Sequence, residues 1–174
     1  METGYNSDAK IVSSYLSFRL DNELFAVNVH QVINILELTK ITEVPKAPYY
    51  MKGVINLRGK VLPVIDTRLK FGMEAISFTK NTCIIVMEIN INGERIELGS
   101  LVDSVLEVIE VSAEAITPPP SLGNKYKSNF ITGMLKQNDN FIMMLDIDKV
   151  FSTDDIIEFK ENSQENTEKT EENE

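Results

Sequence analysis

One cysteine and one histidine are all that 174 residues provide of the side chains that most often carry covalent and metal chemistry. The single Cys83 excludes a disulfide or a thiolate zinc site within the chain. It stands in the apolar run TCIIVMEI with no second cysteine or histidine nearby, so it reads as a buried, inert thiol. A nucleophilic serine would need a histidine base. The only histidine, His30, ends the strand-like VNVHQVIN as an ordinary exposed or partly packed imidazole, with no GxSxG or HExxH around it. Long apolar runs are missing too. None approaches the roughly 18 residues of a membrane span, and the opening METGYNSDAKIVSS lacks a basic-then-apolar leader, so a cytoplasmic protein is expected. Clustered positive charge is also absent. The formal charge is −10 and no basic stripe interrupts it, which makes nucleic acid and anionic membrane surfaces poor partners.

What remains is a globular composition, 43% hydrophobic with eight Gly and six Pro, enough for a sizeable core in one domain or two small lobes. The end, 160–174, holds six Glu against two Lys, a charge of −4 that leaves −6 on the body. Lacking aliphatic and aromatic residues, it reads as a disordered acidic tail, and 1–13 as a flexible N-terminus.

The stretch GVINLRGKVLPVID (Gly53 to Asp66) imitates a phosphate loop but fails it. Five residues separate the glycines where four are needed, and Val61 follows Lys60 where a Ser or Thr would hold magnesium. It reads instead as two β-rich runs broken by a turn at Arg58-Gly59-Lys60. Pro63 cannot donate to a ladder, so its strand is expected at an edge or on a bulge.

The stretch also recurs. KGVINLRGKVLPVIDTRLKF (Lys52 to Phe71) lies without gaps over TGMLKQNDNFIMMLDIDKVF (Thr132 to Phe151), at a constant offset of 80. Upstream, ITEVP (41–45) echoes ITPPP (116–120) at an offset of 75, and VINIL (32–36) echoes VDSVL (102–106) at 70. Each unit opens with a hairpin, turning at Asp21-Asn22 and at Asn92-Gly93. The chain is therefore expected to be mainly β, two tandem copies of a unit of about five short strands, a size at which small barrels close. The first lobe spans about 14–75 and the second about 80–152, with intertwining of the two left open. Gly72 to Asn81 is the joint between units and Thr117 to Gly123 a rigid connection. A short C-terminal helix is expected after Asp146, where Ile147, Val150 and Phe151 share a face.

Asp66, Asp103 and Asp146 lie within apolar runs, where paired carboxylates serve glycosidases, so a carbohydrate-active enzyme is one alternative. Asp66 and Asp146, however, end equivalent strands of the repeat, which favours accepting backbone amides. No DxDxDG calcium loop is present, and Met134, Met143 and Met144 read as adaptable core or interface residues. No catalytic residue, metal or cofactor is expected, and a two-lobed binding module is favoured. The second copy puts Asn138-Asp139 where the first has Arg58-Gly59, so the position is a turn in both, and the residues alone leave open whether Arg58 is more than a solvated turn side chain.

INLRGKVLPVIDTRLKFG, together with FAVNVHQVINIL, ITEVPKAPYYMKGVINLRG and LVDSVLEVIEVSAEAITPPP, resembles the CheW-like domain family of bacterial chemotaxis from about Tyr15 to Phe159. The NLRG-x-V-x-PV-x-D signature is specific to that family. The resemblance implies two five-stranded, SH3-like β-barrels and a non-enzymatic adaptor that links chemoreceptor signalling tips to the regulatory domain of the histidine kinase CheA, in arrays beneath the membrane. It implies no membrane insertion and a monomer outside the array. A scaffold of a related, non-motility pathway would share the fold. The receptor groove implied by the family falls on Val32, Asn34, Gly53, Arg58, Val105 and Val108, and the kinase face on Ile41 and Val44. Where the family often carries a Glu beside the NLRG arginine, this chain has Asn34, whose neutral amide can still accept a hydrogen bond, so Arg58 is expected to be held less firmly there or to pair with a carboxylate such as Glu37.

Overall fold

The computed structural model describes residues 11–119, 129–151 and 155. Its strands are β1 (Val12–Leu20), β2 (Glu23–Asn28), β3 (Val32–Glu37), β4 (Met51–Leu57), β5 (Lys60–Asp66), β6 (Cys83–Ile91), β7 (Glu94–Val102), β8 (Ser104–Ser112), β9 (Ile116–Thr117), β10 (Ile131–Gln137) and β11 (Asn140–Leu145). One helical turn, α1 (Thr67–Lys70), follows β5, and 3-10 turns occupy Val29–Gln31, Ala113–Ala115 and Ile147–Lys149. The helix expected after Asp146 is thus a 3-10 turn at its start. Asp155 is helical, and the tail, residues 1–10 and Pro120–Gly123 lie outside the described residues.

Four hairpins share one local rule. Each turns through two residues, and the first of them is left-handed: Asp21 (φ 56), Arg58 (53), Asn92 (53) and Asn138 (56). This positive φ matches the twist of the paired strands. Asn and Asp tolerate it, whereas an arginine pays about 1 kcal/mol.

The two sheets do not coincide with the two sequence repeats. One has the order β8-β1-β2-β11-β10-β9 and the other β3-β6-β7-β5-β4. The opening hairpin of each unit is flanked by the third and last strands of the other: β1 by β8 and β2 by β11, β6 by β3 and β7 by β5. The spans 14–75 and 80–152 therefore mark repeat units, and each sheet draws on both. Equivalent details recur across the exchange. Register shifts fall at Met51/Gly53 and at Ile131/Gly133, and Thr42 bridges Val54 as Thr117 pairs with Met134. β9 makes the sixth strand of its sheet, and its counterpart around Thr42 is a single bridge.

Three apolar clusters follow. The largest draws Phe18, Leu20, Phe25 and Val27 from one sheet and Ile65, Ile85, Met87 and Leu98 from the other, so it cements the two together. A smaller one fills each lobe, around Leu62 and Val86 in one and Ile142 and Met144 in the other. Pro63 proves to be buried in an interior strand. Val54 exchanges its backbone bonds with Thr42, so the Val54–Pro63 pair needs none between β4 and β5. The missing N–H faces β7, where pairing begins only at Val64.

Candidate functional site

Val105 and Val108 are three residues apart and would face opposite sides of a regular strand. In β8 they face the same side. Val108 stands opposite Leu16 and Val105 opposite Phe18, with one extra β8 residue between. Buried Ser17 pins this bulge, donating to the Glu107 carbonyl (2.8 Å) and accepting from the Glu107 N–H (3.2 Å). A bulge re-aims side chains in this way. β3 does the same: Val32 stands opposite Met87 and Ile35 opposite Ile85, across a register shift between Val32 and Asn34. By pairing, Val32 is the counterpart of Val105, and Ile35 of Val108. The offset is therefore 73, where aligning VINIL with VDSVL suggests 70, and the difference conceals Ile35 from a sequence reading.

Both strands are outermost in their sheets. Val32 and Val105 are half-buried against the inter-sheet core, while Val108 is 59% exposed and Ile35 44%. The result is a rim of four apolar side chains from two equivalent edges. Cys83, expected to be buried, is half-buried at this rim. Burial pushes its thiol up, partly offset by a hydrogen bond from the Val105 backbone.

The other residues implied by the family resemblance divide. Gly53 is buried beneath residues 41–42: with φ +151, a Cβ there would lie 2.1 Å from the Thr42 carbonyl oxygen. Its role is close backbone approach rather than contact. Arg58 is exposed at the tip of the β4–β5 turn, which is braced by the Gly59 N–H donating to Asn56 Oδ1 (2.9 Å). Among the described residues it has no hydrogen bond or ion pair. The expected acceptor is occupied elsewhere, since Asn34 Oδ1 accepts the Ile35 N–H at 2.8 Å. Ile41 lines a pocket of about 220 Å³ with Leu38, Lys52 and Phe78, and Val44 packs on the inter-sheet core.

The three aspartates have structural tasks. Asp66 caps α1, accepting from the Leu69 N–H, and Asp146 caps its 3-10 turn through the Asp148 N–H. Asp103 holds Arg68, which sequence reading passed over. Arg68 is 7% exposed and donates from Nε to both Asp103 oxygens (2.9 and 3.1 Å) and from a terminal nitrogen to Oδ2 (2.9 Å). Its other nitrogen reaches the Glu74 carbonyl at 2.9 Å. Burial pushes the Asp103 carboxyl up, but hydrogen bonds from Arg68 and the Asp21 N–H, with the arginine's charge, hold it below the usual carboxylate range. Those bonds to Asp103 likewise raise Arg68 against its desolvation. The pair ties α1 to the β7–β8 corner and the β1–β2 turn. Among the described residues no three His, Cys, Asp or Glu side chains converge as a metal site, and no helix is long and apolar enough to cross a membrane.

Comparison with known proteins matches residues 14–155 to the CheW-like domain. A chemotaxis protein CheW of Klebsiella aerogenes is 32% identical over 142 residues, covering 82% of this chain and 83% of that protein. One from Rhizobium meliloti is 35% identical over 140 residues, covering 80% and 88%. The crystal structure of the scaffolding protein TtCheW from Thermoanaerobacter tengcongensis superposes with a TM-score of 0.72 at 31% identity, over 83% of this chain and 96% of that one.

Proposed function

The chain belongs to the CheW-like domain family, a family of chemotaxis scaffolds, and from that premise we propose that it couples chemoreceptor signalling tips to the histidine kinase CheA. The observation that carries this reading is Arg58, exposed, unpaired among the described residues and held left-handed at φ 53. Asparagine or glycine would sit in that turn at lower energy, so the guanidinium is there for something outside the chain. Val32, Ile35, Val105 and Val108 supply apolar area to receptor helices, and Arg58 sets register. An exposed arginine contributes specificity and encounter rate more than affinity. Ile41 and Val44 belong to the kinase face. Each contact lies near the low end of about 800 Å² per partner, and many simultaneous contacts in a membrane-associated array make the assembly stable around a cytoplasmic monomer.

The test is co-sedimentation of the kinase with receptor-bearing membranes, with and without this protein, while autophosphorylation is followed. Wild type draws kinase into the pellet and raises its activity, and Arg58→Ala does neither. Equal behaviour of the two proteins removes Arg58 from the site. No effect of wild type assigns the scaffold to another kinase or pathway.

A further inference from the structure

At two positions the first unit carries polar side chains where the second is apolar. Tyr50 and Lys70 correspond, at the offset of 80, to Phe130 and Val150. The backbones agree there: the Tyr50 carbonyl accepts the Asp66 N–H and the Phe130 carbonyl the Asp146 N–H, both at 2.8 Å. The side chains do not. Phe130 stacks on Phe71 with ring centroids 5.0 Å apart. Tyr50 and Phe151, the counterpart of Phe71, instead face the ammonium of Lys70, which lies 4.1 and 5.4 Å from their centroids. The cage so formed holds a carboxylate. Asp155 accepts from Lys70 Nζ through Oδ2 at 3.0 Å and from the Tyr50 hydroxyl through Oδ1. The side chains of Lys70 and Asp155 are only 16% and 12% exposed, and Tyr50 is buried.

We infer that Tyr50, Lys70 and Phe151 form a clasp for the C-terminal end of the chain, a strap that closes through Asp155 and opens without unfolding the two sheets. In the closed state every polar group of the cluster is met: burial strengthens the cation's attraction to the two rings, and the buried phenol has its acceptor. Asp155 belongs to neither sheet. If its cation is lost, the buried carboxylate can return to water by local opening, whereas Asp103 is fixed between paired strands and Arg68 directly after one. Phe130 and Val150 have neither hydroxyl nor ammonium, so the second unit has no equivalent seat for a carboxylate. Opening uncovers the rings of Tyr50 and Phe151, which are buried when the clasp is closed. This device is separate from the adaptor reading and does not depend on it.

Hydrogen exchange of the full chain, read by mass spectrometry, tests the clasp by comparing a peptide covering Phe151 to Phe159 with peptides from β6 and β7. Tyr50→Phe with Lys70→Val gives the first unit the residues with which the second one folds, and Asp155→Ala removes the carboxylate instead. The expected result is at least fivefold faster exchange of the terminal peptide in each variant, with β6 and β7 within twofold of wild type. Combining all three substitutions adds nothing further, because either change alone opens the clasp. Acceleration below fivefold in either variant overturns the inference, since the end is then held by something other than Asp155. Acceleration of β6 and β7 beyond twofold overturns it as well, because the cluster would then be holding the sheets and not a separable strap.

Discussion

Removing Arg68 tests whether the inter-unit ion pair holds the fold together. Arg68→Met keeps most of the side chain's length and apolar stem but strips Asp103 of three short contacts, leaving it the Asp21 N–H at 2.6 Å and a nearby Asp21 carboxylate. Breaking a buried pair by removing one partner costs about 3–5 kcal/mol, because the other charge stays behind without compensation. Asp103 keeps 19% of its side chain in solvent, which lets water relieve part of that penalty and points to about 3 kcal/mol. For a chain of this size such a loss lowers Tm by roughly 6–12 °C. The double variant Arg68→Met with Asp103→Leu removes both charges and is expected to be more stable than Arg68→Met alone, since an apolar pair of similar volume costs little or stabilises. The pH dependence carries a definite sign. The folded Asp103 carboxyl titrates below its unfolded value of about 3.9, so the pair's contribution is complete above that pH and is lost as pH falls through the lower, folded value. Urea unfolding of the four proteins of the cycle at pH 7, 5 and 3.5 measures all of this. Strictly additive single variants, or a stability gap between wild type and Arg68→Met that widens on acidification, would refute the reasoning.

Gly53→Ala is expected to cost about 2 kcal/mol in urea unfolding, since its Cβ would strike the Thr42 carbonyl oxygen. Gly133→Ala should cost less because the backbone oxygen it would meet, that of Thr117, stands at 2.9 Å rather than 2.1 Å, although the Ile116 Cγ2 methyl must also shift; equal costs would overturn the comparison. Arg58→Asn is expected to stabilise the β4–β5 turn by up to about 1 kcal/mol while reducing kinase recruitment; a destabilised variant would mean Arg58 has an intramolecular partner after all. Iodoacetamide should alkylate Cys83 more slowly than it does the unfolded chain at pH 8, with a rate profile centred above the ordinary thiol range, because burial raises the thiol. A midpoint at or below about 8.5 would contradict that.

Much of the short-ranged structure was legible in the sequence. The four hairpin turns, the caps at Asp66 and Asp146, the offset of 80 across β4–β5 and β10–β11, and the alternation that buries Leu16, Phe18 and Leu20 all depend on neighbours within a few residues. A turn or a cap is decided by local backbone angles and one side chain, so residue type suffices. The family resemblance went further and proposed Val32, Val105, Val108 and Gly53 as contact positions; the fold sets the three valines on one apolar rim and buries Gly53 beneath residues 41–42.

Three matters were decided by the tertiary structure. Which unit's strands flank which hairpin is not encoded in any single unit, because two copies of one pattern offer the same hydrogen bonds and similar apolar faces; burying the large inter-sheet core is compatible with the exchange seen here. The side that Val108 and Ile35 face depends on bulges, and one inserted residue reverses every side chain beyond it, so periodicity alone misplaces them. Arg68 and Asp103 are 35 residues apart in sequence and meet only once β5 and β7 pair. The sequence by itself thus determined the parts and their turns; the exchange of strands, the apolar rim and the buried ion pair exist only after distant segments have been brought together, because each depends on who its neighbour is across the sheet and not along the chain.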